Sequence, residues 1–133
     1  MKDYPDPRMH TAEHLLNAAM VRMFGGGRAF SSHIEKRKSK CDYRFGRDLT
    51  EAERTELERL VNEAIRADLP VTEEFLPKEE AAAKFDLGRL PEGAGADRLR
   101  IVRVGDYDAC PCAGAHVARS GEIGGFRIIS TGF

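Results

Sequence analysis

Four metal-ligating side chains fall in two short stretches near opposite ends of the chain, His10-Thr-Ala-Glu-His14 and Cys112-Ala-Gly-Ala-His116. Zinc takes four ligands in a tetrahedron, chiefly Cys thiolates and neutral His, and each stretch offers two of them four residues apart. On a helix, positions i and i+4 are stacked one turn apart, so His10 and His14 can reach one ion together. The second pair needs no helix. Two alanines and a glycine are all that separate Cys112 from His116, and such a segment folds tightly with no bulky group in the way. Either motif alone is weak evidence, but three of the chain's four histidines lie within the two. The pattern points to one zinc site made of His10, His14, Cys112 and His116. Cys110 leaves three options open: a spare ligand, a thiol beside the ion, or an inert buried residue. Cys41, in a strand-like run, reads as core.

The elements that must carry these residues follow from the hydrophobic pattern. Residues Met9 to Phe24 lack proline and glycine and predict a helix, with Ala12, Leu15, Leu16, Ala19, Met20 and Met23 on one apolar stripe. His10 and His14 lie off that stripe, on a separate face turned towards a cleft. Gly25-Gly-Gly27 ends the helix. Ala29 to Ile34 and Cys41 to Phe45 read as two strands around a basic turn, Lys36 to Lys40. Thr50-Glu-Ala-Glu53 is a capping box that opens a helix. Its apolar positions Leu57, Leu60, Val61, Ala64 and Ile65 would lie on a sheet, and Pro70 closes the run. Val71 to Leu76 is a strand, Lys78 to Phe85 a brief helix entered through Pro77, and 86–97 a loop. Leu99 to Val104 is a strand rich in β-branched residues, and Phe126 to Ser130 a last one. The expected class is α+β, a mostly antiparallel sheet backed by helices, with residues 1–133 as a single domain.

Composition narrows the function. With a net charge of -1 the chain is no general binder of polyanions. Between Glu35 and Arg47, however, six basic residues (Lys36, Arg37, Lys38, Lys40, Arg44, Arg47) face only Glu35 and Asp42. That strip fits either a solvated hairpin or contact with the end of a nucleic acid. No apolar run follows the N-terminal charges as in a signal peptide, and no segment is long enough to span a bilayer. An odd number of cysteines near histidines fits a metal site in a reducing compartment, so the cytoplasm is expected.

These residues also carry a resemblance. His10-Thr-Ala-Glu-His-Leu-Leu16 is similar to the first motif of the alanyl-tRNA synthetase editing domain. Cys112-Ala-Gly-Ala-His-Val117 with Ser120-Gly-Glu-Ile-Gly124 resembles its second motif and the segment after it. Leu49-Thr-Glu-Ala-Glu53, Val61-Asn-Glu-Ala-Ile65 and Leu69-Pro-Val71 resemble the family's central helix and following strand. The resemblance keeps its order over nearly the whole chain, and the length matches the short, free-standing editing proteins related to the synthetase. It implies a threonyl/alanyl-tRNA synthetase editing-domain fold and one zinc per chain. It also implies hydrolysis of the ester at the 3′ end of mischarged tRNA, seryl- or glycyl-tRNA for alanine. Threonyl-tRNA synthetase carries a similar domain, so another amino acid is a variant of the same reading.

On this resemblance His10, Thr11 and His14 are the candidate catalytic residues. Ser32, His33, Lys36, Arg37, Lys38 and Gly114 are candidates for substrate or tRNA contact, with Arg127 as a further basic contact. The alternative for Ser32 and His33 is that they are ordinary strand residues. The ion would either activate water or position the substrate. Two residues depart from the family's Cys-Gly-Gly-Thr-His: Ala113 replaces a glycine and Ala115 a threonine, which removes a hydroxyl beside the metal. A module that binds zinc and holds tRNA or a synthetase, without catalysis, is the reading from a different class.

Overall fold

The computed structural model describes residues 7–25, 31–34, 39–43, 47–84, 98–112, 114–128 and 131. The elements in order are α1 (Pro7–Phe24), β1 (Ser31–Ile34), β2 (Ser39–Asp42), α2 (Glu51–Arg66), β3 (Val71–Pro77), α3 (Lys78–Lys84), β4 (Arg98–Val104), β5 (Asp108–Pro111) and a 3-10 turn, η1 (Ser120–Ile123). The fold is α+β. β1 and β2 form an antiparallel ribbon, and β3, β4 and β5 form an antiparallel three-stranded sheet in that order.

α1 begins at Pro7, where a proline's missing N–H costs nothing in the first turn. It ends at Gly25, whose φ of 70° and N–H bond to the Val21 carbonyl make a left-handed cap. Leu15, Ala19 and Met20 of its apolar stripe pack against Leu57, Val61, Ala64 and Ile65 of α2 and against Val104 of β4. α2 starts as its sequence predicts. Thr50 accepts from the Glu53 N–H, and the Glu53 carboxylate accepts from the Thr50 N–H. Its apolar face meets α1 and η1 and reaches the sheet through Val104, so it is less a helix laid flat on a sheet than half of a helix pair. A smaller cluster of Ala81, Leu99 and Ile101 lies under α3.

Some expectations change. β5 is a strand in a stretch to which no element was assigned. It pairs with β4 from Ile101↔Pro111 to Val104↔Asp108, at the sheet edge where Pro111 breaks no further ladder. The last predicted strand, Phe126 to Ser130, is absent at 126–128. There the side chain of Asn62 accepts from the Phe126 N–H and donates to its carbonyl, and Glu58 takes the Ile128 N–H. Backbone groups bound by side chains of α2 are not free to join a ladder; residues 129 and 130 lie outside the described residues. Cys41, expected in the core, is half-buried.

η1 is locked to the end of α2. The Ser120 hydroxyl donates to the Ala64 carbonyl and accepts from the Leu69 N–H, while the Ser120 N–H donates to the Leu69 carbonyl. Gly121 is required at this contact, because a Cβ there would stand 2.5 Å from Asp68 Oδ1. This junction, with the Val71 N–H donating to the Ala118 carbonyl, fixes where the segment after His116 runs.

Candidate metal centre

α1 is buried on its second face as well as its first. His10 and Thr11 have no exposed surface, and Glu13, His14 and Asn17 are also buried. The loop leaving β5 folds back against this polar face. Its path is set by Arg100 of β4, whose guanidinium donates to the carbonyls of Cys112 (3.3 Å) and Gly114 (2.9 Å) and pairs with Glu73. The Cys112 N–H also donates to the Arg100 carbonyl, which carries the ladder one bond past β5. Gly114 turns the loop at a φ of 99°, a conformation that suits glycine and strains other residues.

The result brings together all four ligands expected from the sequence. One ligand atom each from His10, His14, Cys112 and His116 lies within 4.8 Å of the others, so the cluster could hold a metal ion. Cys112 Sγ is 3.2 Å from His10 Nε2 and 3.6 Å from His116 Nε2. A tetrahedral ion with bonds of about 2.3 Å to sulfur and about 2.0 Å to nitrogen holds those atoms about 3.5 Å apart. The spacing therefore fits zinc-like coordination. The rings of His10 and His116 stack with centroids 3.9 Å apart, and His14 meets each edge-on.

Each imidazole is also held from behind, at Nδ1. That of His10 faces the Ala115 carbonyl at 3.0 Å, and that of His14 faces Asp108 Oδ2 at 3.2 Å. A carbonyl and a carboxylate only accept, so in its neutral form each of these two rings carries its proton on Nδ1 and leaves Nε2 bare. His116 Nδ1 lies 2.9 Å from Thr11 Oγ1, which also accepts from the Val117 N–H. Partners of this kind orient metal-binding histidines and raise their basicity.

Electrostatics divides the three rings. Burial, aided by His14, His10 and Arg100, pushes His116 down to about 2, so it is neutral and ready to ligate throughout the working pH range. Burial pulls His14 down too, but Cys110 and the Asp108 carboxylate outweigh it and raise the group well above its ordinary value. The direction favours positive charge at this ring, which a metal ion held by the four ligands would supply in its place.

The sequence did not point to Asp108. With Cys110, whose Sγ is 3.4 Å from His14 Nδ1, it forms a buried trio around the back of that ring. Cys110 stands beside the four-ligand cluster without being part of it: its Sγ is 3.4 Å from His14 Nδ1 and 4.0 Å from His14 Nε2, and the trio it forms with His14 and Asp108 could itself hold a metal ion. Arg100, Asn17 and Glu13 were also missed. Asn17 Oδ1 accepts from the hydroxyl of Tyr43, which follows β2 and ties the ribbon to the polar face of α1.

Ser32 and His33 lie in β1, paired with Cys41 and Lys40. Lys36, Arg37 and Lys38 lie outside the described residues, as does Ala113. Arg47, at the end of the basic strip, is bound to Glu53 at the start of α2. Arg127 is exposed. No described helix is long and apolar enough to cross a membrane.

A family model described as the threonyl and alanyl tRNA synthetase second additional domain matches residues 99–132, which span β4, β5 and the Cys/His loop. Alanine–tRNA ligase of Treponema denticola is 41% identical over 120 residues, covering 90% of this chain and 20% of that protein. The same-named protein of Aeropyrum pernix is 39% identical over 130 residues, covering 96% of this chain and 14% of its own. That of Coxiella burnetii is 37% identical over 124 residues, covering 92% and 14%. The chain thus spans a fifth or less of the length of these relatives.

Proposed function

From its membership of the alanyl-tRNA synthetase editing-domain family, we propose that this chain is a zinc-binding aminoacyl-tRNA deacylase. It hydrolyses the ester of mischarged tRNA in trans, with seryl- or glycyl-tRNA for alanine as substrates. Residues 1–133 act as one editing domain, and the free thiols of the site suit the reducing cytoplasm. The observation that carries the reading is the convergence of three imidazoles and one thiolate donor, each ring already backed at Nδ1.

His10, His14, Cys112 and His116 would hold the ion, and with a full tetrahedron it would supply a fixed positive charge that orients the acyl group. The protein's own residues do the rest. Asp108 and the Ala115 carbonyl keep His10 and His14 in the ligating tautomer. Thr11 holds His116 in place, so it serves the reaction through that ring rather than by touching substrate. Arg100 pins the loop on which Cys112 and Gly114 stand. In the reaction water attacks the acyl carbonyl, the ester C–O bond breaks, and the ribose hydroxyl leaves with a proton. Ser32, His33, Lys36, Arg37, Lys38 and Gly114 are assigned to the 3′ end of the tRNA. The Tyr43–Asn17 bond, which anchors the ribbon to the polar face of α1, supports placing tRNA along that edge.

Purified protein is expected to carry about one zinc per chain and to release serine or glycine from mischarged tRNA. His10→Ala and Cys112→Ala should lose the metal and at least about a hundredfold of the activity. Protein isolated without chelator and free of metal would overturn the centre. Tight tRNA binding with no turnover on any charged tRNA would leave the non-catalytic module as the better account.

A further inference from the structure

Glu13 has no place in the metal centre, yet it is buried beside it. Only 5% of its surface is exposed, and its Oε2 is fully covered, with no hydrogen-bond partner among the described residues. Buried glutamates are rare unless paired, because a carboxylate out of water needs a cation or a donor. The buried polar neighbours on α1 are all satisfied: His10 by Ala115, Thr11 by His116 and Val117, His14 by Asp108, Asn17 by Tyr43. Glu13 belongs to neither group of atoms able to ligate a metal, so an ion in the centre would not account for it. It follows His10 by three residues and precedes Asn17 by four, which puts it on the same helix face as both. Glu13 therefore stands about one turn from His10 on the buried polar face, with an acceptor that no donor among the described residues takes.

We propose that Glu13 receives the α-amino group of the aminoacyl ester, so that the site selects esters with a free amine over N-acylated ones. The inference rests on the deacylase reading. In such an ester the amine is two bonds from the carbonyl carbon that reacts, so a carbonyl brought to the centre carries the amine to its rim. A free α-amino group offers two or three N–H donors and, when protonated, a full positive charge. An N-acylated amine offers one N–H, no charge and added bulk. A buried carboxylate rewards the first strongly and the second hardly at all. Because every α-amino acid has this group, Glu13 sets the class of ester accepted and leaves the choice of side chain to other residues.

The test compares seryl-tRNA and N-acetyl-seryl-tRNA, both charged on tRNA for alanine, with the zinc-loaded protein and with Glu13→Gln. The native protein should cleave the free-amine ester with a kcat/KM about 10- to 100-fold above that for the acetylated one, the range expected of a hydrogen bond to a charged group. Glu13→Gln should lower kcat/KM for seryl-tRNA by a similar factor and leave the acetylated ester unchanged, with zinc content held at the native value. Equal cleavage of the two esters by the native protein overturns the inference while the deacylase reading stands, and this arm needs no variant to fold. A Glu13→Gln protein that keeps both its zinc and the native preference overturns it as well. Native protein that cleaves no charged tRNA, under conditions where it holds its zinc, overturns both.

Discussion

The two long helices pack against each other, yet they hold their polar groups in opposite ways. α2 keeps its charges in water and pairs several of them with near neighbours. Arg59 bonds Glu56 and Glu63 within its own turns, and Glu53 closes the cap with Thr50. α1 buries a second, polar face, and its contacts come from far along the chain. His10 reaches Ala115 across 105 residues, His14 reaches Asp108 across 94, and Cys112 meets His10 across 102. One helix is stabilised by features that a short window of sequence contains. The other is a wall of a site and is complete only when the loop after β5 closes on it.

That contrast can be sharpened first at Asp108. Replacing it with Asn removes the carboxylate behind His14 but keeps the shape and one acceptor. Zinc affinity is expected to fall about 10- to 100-fold, the usual cost of losing such a partner. Competition with a chelating dye reads this directly. Circular dichroism should show an intact α2, because the cap and the pairs on that helix do not touch the centre. Unchanged affinity would mean that Asp108 merely fills space beside Cys110.

A smaller effect is expected at the start of α2. Thr50→Ala removes the side-chain half of the capping box and should cost about 1 kcal/mol of stability, measured by urea unfolding of the metal-loaded protein. Zinc affinity should stay at the native value. A variant that lost both would show that the two helices are one cooperative unit with no division between scaffold and site.

The same contrast explains what could be read in advance. Thr50 and Glu53 are three residues apart, so their reciprocal bonds are visible as a sequence pattern, and α2 begins where the pattern puts it. His10 and His14 are one turn apart, and Cys112 and His116 lie in one flexible loop, so the ligand set was legible although its closure is long-range. Asp108 was not, because nothing local distinguishes a carboxylate that backs an imidazole 94 residues away from one in a turn. β5 was hidden for a related reason: Pro111 argues against a strand unless the strand is known to lie at an edge. The tail misled in the other direction. Phe126 and Ile128 alternate as a strand would, but Asn62 and Glu58 of α2 take their backbone groups. Glu13 looked like one more charge on a helix until the burial of the whole face made its empty oxygen conspicuous.

The smallest expected effect concerns pH, and it reaches the two regions through different groups. The Arg47 guanidinium, together with the Thr50 N–H, lowers Glu53 from 4.5 to about 2. A carboxylate depressed on folding stabilises the protein above its unfolded value and loses that contribution as pH falls through the folded one. The cap is therefore worth most above about pH 4.5 and fades towards pH 2. The pair is exposed enough for water to screen it, so the gain is slight. Comparing Glu53→Gln with the native protein isolates it, because both carry the same metal centre and lose it alike in acid. The native protein should melt slightly higher at pH 7, and the gap should narrow as pH drops below 4.5. A gap that stayed constant would assign the effect to the shape of the side chain and remove charge from the account of the cap. The histidine face should weaken in the same direction, through its metal, since protons compete there for the ligating nitrogens. Chelator-accessible zinc should therefore rise in acid by the same amount in both proteins.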